Sequence, residues 1–317
     1  MQHGILVSRF GVSIIDRHFL PAGKGEWTIV GGYSIFDGTI ADMTWPAVEE
    51  AARGNAVLLV PIAVIEQHGP HLPLATDTYG AYLLCSQVRT ELIRSDVAAV
   101  MAPPYYFGMN PTTGMFPGSL HISRPTMLAV LTELFLNYGQ WGFKQQFILN
   151  HHGDPTHNDT IMEAIRAARG EGIEAVYTMG GFARQFIEEA YTAAFHKPLP
   201  LPKSALIQAD ESEATARVRA RVTKSDLHVH AEEFETSMIM RWYPEVLDPS
   251  VDLSSLKPVL PTPEQFEEAI QQAKWRELSP LGYIGDPSVS TRENGELYAL
   301  AAADIAKAIV EFLERKG

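Results

Sequence analysis

Glu66, His68, His71 and Asp77 fall within one short run, VIEQHGPHLPLATDT at residues 64–78. A second run, ILNHHGDPTHN at 148–158, holds His151, His152, Asp154 and His157. A third, HVHAEEFETS at 228–237, holds His228, His230, Glu232, Glu233 and Glu235. Together they take in seven of the eleven histidines, each time beside a carboxylate. Glu66 and His68 stand two residues apart, so on an extended segment their side chains point the same way, and His152 and Asp154 repeat that spacing. Imidazole with carboxylate suits Zn²⁺, Mn²⁺ or Fe²⁺, and the lack of thiolates argues against a structural zinc site. Glu66, His68, Asp77, His152 and Asp154 are too many donors for one small ion with an open position. They suit two divalent ions sharing a carboxylate, a pair that lowers the pKa of a bound water and polarises a carbonyl. Neutral histidine ligands make metal affinity fall at acid pH.

Each segment taken alone has a plainer explanation. HGP is a common turn, and His71 fits a structural role better than a ligand's. NHH would end a strand with polar caps equally well, and His157 competes with Asp154 for a ligand's place. His228 and His230 flank Val229 on an extended stretch, where one of the two is simply exposed. Glu232, Glu233 and Glu235 open a helix, where the dipole favours acids. The joint occurrence behind strand ends is what points to a site.

The elements that must position these residues are legible as an alternation. AVLLVPI at 56–62 is a continuous apolar run rich in branched residues, the pattern of a strand buried on both faces. A helix at 44–54 precedes it, with Thr44 to cap it, Pro46 in its first turn and Gly54 at its end. Helices follow over 78–93, 124–142 and 158–172, and strands over 97–104, 144–150 and 174–179, with short loops between. Such alternation predicts a parallel sheet covered by helices on both sides. Residues just beyond the carboxyl ends of such strands line the binding crevice, and the first two histidine segments stand directly there. Residues 194–226 break any regular element and read as a loop, an arm or a lid. Residues 232–243, 261–278 and 295–317 read as three more helices, the last amphipathic. Tyr105, Tyr106, Phe107 and the Trp242–Tyr243 pair suit a pocket wall or plain core packing.

Composition narrows the function classes. The chain has 317 residues, 46% hydrophobic and 20% charged, with a net charge of −13. That is an ordinary soluble globular chain and not a nucleic-acid binder, since no basic stripe offsets the acidic balance; the acidic total says little about a small-molecule substrate, which the candidate site leads us to expect. No apolar run reaches the length of a membrane span. Arg9, Asp16 and Arg17 interrupt the opening twenty residues, a poor signal peptide, and Cys85 is the single cysteine. Both features lead us to expect a cytoplasmic protein without disulfides.

The segment MTWPAVEEAARGNAVLLVPIAVIEQHGPHLPLATDT at 43–78 resembles the start of the creatininase (creatinine amidohydrolase) family, whose hallmark is an E-Q-H-G-P-H-L-P-L run ending in T-D. ILNHHGDPTHN resembles the family's N-G-H strand end, and HAEEFETS its H-A-G-E-x-E-T-S segment. FPGSLHIS and GYIGDPSVSTRENGE are weaker echoes in the expected order. The resemblance implies a three-layer α/β/α sandwich with a mainly parallel sheet over residues 43–317, with insertions near 194–226 and 249–278. Residues 1–42 lie outside the resemblance, and their weak alternation, as in WTIVGGYSIF, reads as an extension of short strands and turns. The resemblance further implies two divalent metal ions per subunit, usually Zn²⁺ or Mn²⁺, hydrolysis of a C–N bond in a small cyclic amide or formamide, and a homo-oligomer, commonly a hexamer. Carried over position by position, Glu66, Asp77 and His152 hold one metal, and His68, the shared Asp77 and Asp154 hold the other. His230 then transfers a proton, and Glu235 supports the metals or their ligands. The departures from the family's pattern surround the site. Ala63 and Val64 stand for its usual Gly-Ser, His151 for the glycine of N-G-H, Glu232 for the glycine of H-A-G-E, and Asp154 for the glutamate of creatininase itself. They bear on the substrate, and they keep open a lactonase, a small-peptide hydrolase and a non-catalytic metal-binding protein.

Overall fold

The structure, a computed structural model, describes residues 36–222 and 229–316. Most of the expected N-terminal extension, and His228, lie outside these residues. Five strands form one wholly parallel sheet: β1 (Val57–Ile62), β2 (Ala99–Met101), β3 (Gln145–Asn150), β4 (Glu174–Met179) and β5 (Leu206–Gln208), in the spatial order β2-β1-β3-β4-β5. Each residue of β1 is buried, as a run with no polar alternation requires. Its side chains divide by parity. Leu58, Val60 and Ile62 join a core with α1 (Trp45–Arg53), α3 (Arg124–Gln140) and α4 (Pro155–Gly170). Val57 and Leu59 join a second core, on the other face, with α2 (Thr76–Arg94), α7 (Glu233–Trp242) and α10 (Leu297–Glu314). Two apolar cores back to back across one sheet make the expected α/β/α sandwich. No helix among the described residues is long and apolar enough to cross a membrane.

Residues 194–226 differ from the expected loop or lid. They contain the end of α5 (Gly181–Phe195), the edge strand β5 and α6 (Glu213–Val222). The expected helix over 261–278 is two, α8 (Pro263–Gln271) and α9 (Trp275–Leu278), parted where Ala273 takes a left-handed φ of 53°. A capping box on Thr262 and Gln265 fixes the start of α8. Helix α2 begins at Thr76, so Asp77 sits in its first turn and not ahead of it. Helix α4 likewise begins at Pro155, which makes Asp154 its N-cap.

The strand order places β1 between β2 and β3, and the chain crosses from one side of β1 to the other on its way from β2 to β3. This is a topological switch point, where an open parallel sheet leaves a crevice at its carboxyl edge. Ile62 and Asn150 pair in register there, so the segments leaving β1 and β3 start side by side.

Candidate metal centre

Four segments meet at that crevice. The chain leaving β1 supplies Glu66 and His68, and the first turn of α2 supplies Asp77. The chain leaving β3 supplies His151 and His152, and the approach to α7 with its first turn supplies His230 and Glu235. The last segment is turned inward by Ala231, which holds a left-handed φ of 50°. That geometry costs a non-glycine residue about 1–2 kcal/mol, offset here by the hydrogen bond from its N–H to Glu235 Oε2 at 2.6 Å. Gln67 locks the loop from beneath, donating from Nε2 to the carbonyl of Gly282 at 2.8 Å. Gly282 has a φ of 94°, and a Cβ there would stand 1.9 Å from Gln67 Oε1, so only glycine fits.

His152 Nδ1 lies 2.9 Å from Glu66 Oε1 and 3.3 Å from Asp77 Oδ2. His68 Nε2 lies 3.4 Å from Asp77 Oδ1 and 3.6 Å from Glu235 Oε2. Two trios able to hold an ion result, Glu66–Asp77–His152 and His68–Asp77–Glu235, with Asp77 in both. A third trio, Glu66–His68–His230, overlaps them; its His230 Nδ1 is 3.8 Å from Glu66 Oε1.

The remaining ring nitrogens show which lone pairs face inward. His68 Nδ1 is 3.0 Å from the carbonyl of Glu66, His152 Nε2 is 3.1 Å from that of Met109, and His230 Nε2 is 2.6 Å from that of Gln67. A carbonyl only accepts, so each of these nitrogens carries a proton and the opposite nitrogen is the one that faces the cluster, where a bound ion would take its lone pair. Glu66 is held from behind by the Thr113 hydroxyl, which donates to Oε2.

The donor set fits divalent ions on a direct structural test. His68 Nε2 and Asp77 Oδ2 are buried and have no hydrogen-bond partner. Orphaned buried polar atoms are rare in native proteins, and two of them aimed into one cluster call for a ligand. Three carboxylates, Glu66, Asp77 and Glu235, are almost wholly out of water here. Uncompensated, that charge would be costly. Burial opposes the charge on His68, but the carboxylates of Glu235 and Asp77 outweigh it and hold its pKa well above the ordinary value. Burial likewise opposes the charge on His152, which Glu66 and Asp77 raise in the same way. Burial acts to raise the pKa of Asp77, yet the surrounding histidines, His68 first, pull it well below the usual carboxylate range.

Asp154 stands apart from both trios. Its Oδ1 accepts from the His157 N–H at 2.9 Å and caps α4, and burial pushes its carboxyl above the ordinary value. Glu235, which the resemblance gave a supporting role, stands in the second trio instead. His157 turns away, its Nδ1 accepting from the Met109 N–H at 3.3 Å. His71 pairs its Nε2 with Thr236 Oγ1 at 2.9 Å, and burial drives its pKa down to about 4, a structural role. Tyr105 is core, Tyr106 lines a minor hollow beside Ile65 and Tyr79, and Tyr243 packs on Tyr79.

A cleft of about 160 Å³ opens beside the cluster, with His152 and Glu235 in its wall. Phe234, Leu297, Tyr298 and Ile305 make its apolar side, while Glu232 and Asp304 add acid; no lysine or arginine lines it among the described residues. Glu232 caps α7, accepting from the N–H groups of Phe234 and Glu235.

The creatininase family model, described as creatinine amidohydrolase, matches residues 41–312. A "Mycofactocin precursor peptide peptidase" of Mycolicibacterium smegmatis is 25% identical over 242 residues, covering 76% of this chain and 78% of the relative. A "3-dehydro-scyllo-inosose hydrolase" of Thermotoga maritima is 28% identical over 119 residues, 35% of this chain and 34% of the relative. Among solved structures, one titled "Creatininase Mn" superposes with a TM-score of 0.59 at 18% identity, covering 86% of this chain and 98% of its own.

Proposed function

The chain belongs to the creatininase family, and on that premise we propose that it is a metal-dependent amidohydrolase opening the C–N bond of a small cyclic amide. The observation that carries the reading is the convergence of Glu66, His68, Asp77, His152 and Glu235 around two inward atoms without partners. Glu66, Asp77 and His152 would hold one divalent ion; His68, the shared Asp77 and Glu235 would hold the second. Asp154 is outside this proposed set. The donors suit Zn²⁺ or Mn²⁺, with Fe²⁺ also compatible. Bound there, the ions would polarise an amide carbonyl and lower the pKa of a coordinated water.

The rest of the chemistry falls to the chain. An amine leaves only once protonated, so a proton must be delivered to the departing nitrogen. We assign that delivery to His230, a role supported by its Nδ1 lying 3.8 Å from Glu66 Oε1. Its Nε2–H is tied to the carbonyl of Gln67, which leaves Nδ1 to take up a proton and pass it on. Trp275 packs edge-on against the His230 ring at 5.9 Å and shields it from water. The apolar wall of the cleft would receive the body of the substrate and exclude bulk solvent.

A second reading keeps the site and moves the bond to a peptide, favoured by the peptidase relative that spans most of this chain. Stripped protein reloaded with Zn²⁺ or Mn²⁺ and offered cyclic amides, formamides, lactones and short peptides separates the readings. Turnover of cyclic amides supports the first, and turnover of peptides alone supports the second. Turnover of lactones alone removes the C–N assignment. Tight metal uptake with no turnover at all makes the protein a non-catalytic metal binder. The family likeness also carries the expectation of a homo-oligomer, commonly a hexamer, which light scattering reads directly.

A further inference from the structure

His151 stands between the cluster and the cleft, and both of its ring nitrogens are engaged. Nδ1 lies 3.2 Å from Asp77 Oδ1, and Nε2 lies 2.5 Å from Tyr298 Oη. The ring has a slot made for it. A Cβ on Gly80, one turn along α2 from Asp77, would stand 2.5 Å from His151 Nε2. Tyr298 closes the slot, its ring stacked on His151 at 5.6 Å and on Phe234 at 4.7 Å. His151 belongs to none of the ion-holding trios among the described residues, so its contact with Asp77 is not that of a co-ligand.

With a neutral imidazole the two partners set the directions of these hydrogen bonds. A neutral imidazole has one donor and one acceptor nitrogen. Asp77 is a carboxylate and only accepts, so Nδ1 carries the proton and Nε2 accepts from the tyrosine hydroxyl. Burial favours that arrangement, because it raises the pKa of Tyr298 and keeps its proton in place.

We propose that Tyr298 and His151 form a positioning relay for the metal pair: Tyr298 Oη–H donates to His151 Nε2, and His151 Nδ1–H donates to Asp77 Oδ1, setting the plane of the shared carboxylate. The inference rests on the metal reading above. Each carboxylate oxygen has two lone pairs, so Oδ1 can accept from His151 and still serve an ion. Holding that oxygen stops the carboxylate rotating and keeps Oδ2 turned toward His152. Tyr298 is a remote tautomer lock, and its effect on Asp77 passes only through the imidazole.

Metal affinity tests this without reference to turnover. Zn²⁺ dissociation constants and stoichiometry would be measured by competition with a chromophoric chelator. The variants are Tyr298→Phe, His151→Gly, His151→Asn and the double variant His151→Asn with Tyr298→Phe. Tyr298→Phe and His151→Gly should each weaken binding by roughly 10–100-fold, the usual loss when an outer partner of a ligand is removed, with stoichiometry unchanged. Asparagine places an amide N–H where Nδ1 was and has no tautomer to set. His151→Asn should therefore recover most of the affinity, and adding Tyr298→Phe to it should change nothing further. A merely structural Tyr298 would weaken both backgrounds alike, and that result overturns the relay. So does a Tyr298→Phe affinity within twofold of the starting protein, or loss of one full metal equivalent on His151→Gly, which would make His151 a ligand. Starting protein that takes up no divalent ion at all would overturn the metal reading, and the relay with it.

Discussion

His152 Nδ1 stands 2.9 Å from Glu66 Oε1, although the two residues leave different strands. The contact exists because β1 and β3 pair in parallel, with Ile62 opposite Asn150, so the chain issues from both strands at the same level. An ion placed there would exchange two protonatable side chains for ligands. Protein stripped of metal should lose hydrolase activity and recover it with Zn²⁺ or Mn²⁺. Asp77→Ala should abolish the recovery, because Asp77 serves both trios. Its loss should exceed the roughly 10–100-fold typical of an outer-shell change. Full activity in a chelated, metal-free sample would sink the hydrolytic reading.

Asp154 and Glu235 are separable in the same assay. Asp154 caps α4, so Asp154→Ala should cost about 0.5–2 kcal/mol of stability and leave both metal equivalents bound. Glu235→Gln should lose the ion of the second trio and keep the first. Thermal melts beside elemental analysis would show both, and a metal equivalent lost from Asp154→Ala would return that residue to the ligand set.

What the chain disclosed in advance follows from where its signals are local. β1 was legible because it is one uninterrupted apolar run, and β3 and β4 because each is a short, mostly apolar stretch between helices; Glu66, His68 and His152 entered the candidate set because they follow β1 and β3 within a few residues, and Asp77 because it stands at the start of the next helix. β5 was not, since it is a three-residue edge strand beside α6, whose arginine-rich surface hides the buried Thr215, Val218 and Val222. The change from Asp154 to Glu235 in the proposed ligand set was equally hidden. An aspartate two residues after a histidine reads the same whether it caps the next helix or meets an ion, and only the start of α4 at Pro155 decides. Thr113 and Tyr298 carry no spacing signal at all, because one sits in a long loop and the other on the last helix, and the fold alone brings them to Glu66 and His151.

Alkaline pH should unfold the protein through its buried phenols. Burial pushes Tyr82 and Tyr138 up to about 12. An unfolded tyrosine ionises near pH 10, so between about 10 and 12 the unfolded chain has released protons that the native state keeps. The unfolded state then binds fewer protons, and stability falls as pH rises, by up to about 1.4 kcal/mol per pH unit for each tyrosine. Urea midpoints at pH 9 and pH 11 would register the decline. Tyr138→Phe should flatten it, since the phenylalanine has no proton to lose, and an equal slope in that variant would count against the assignment.

The cleft should discriminate substrates by charge. Glu232 and Asp304 lie in its wall with no lysine or arginine among the described residues there, and its other walls are apolar. Asp304 already accepts at Oδ2 from the Ser212 N–H and the Thr215 hydroxyl, so its negative charge is fixed in place at the start of α6. A site walled by one sign of charge and low-dielectric surface raises the local concentration of the opposite sign, leaves neutral species unaffected and repels its own sign. Among amides matched in size, kcat/KM should therefore fall from cationic or neutral to anionic, mainly through KM, because the repulsion acts on binding before any bond changes. Asp304→Asn should narrow the gap while keeping both hydrogen bonds at that position, and raised ionic strength should narrow it further. An anionic amide hydrolysed faster than its neutral counterpart would show that the ions, and not the cleft wall, set the field that the substrate meets.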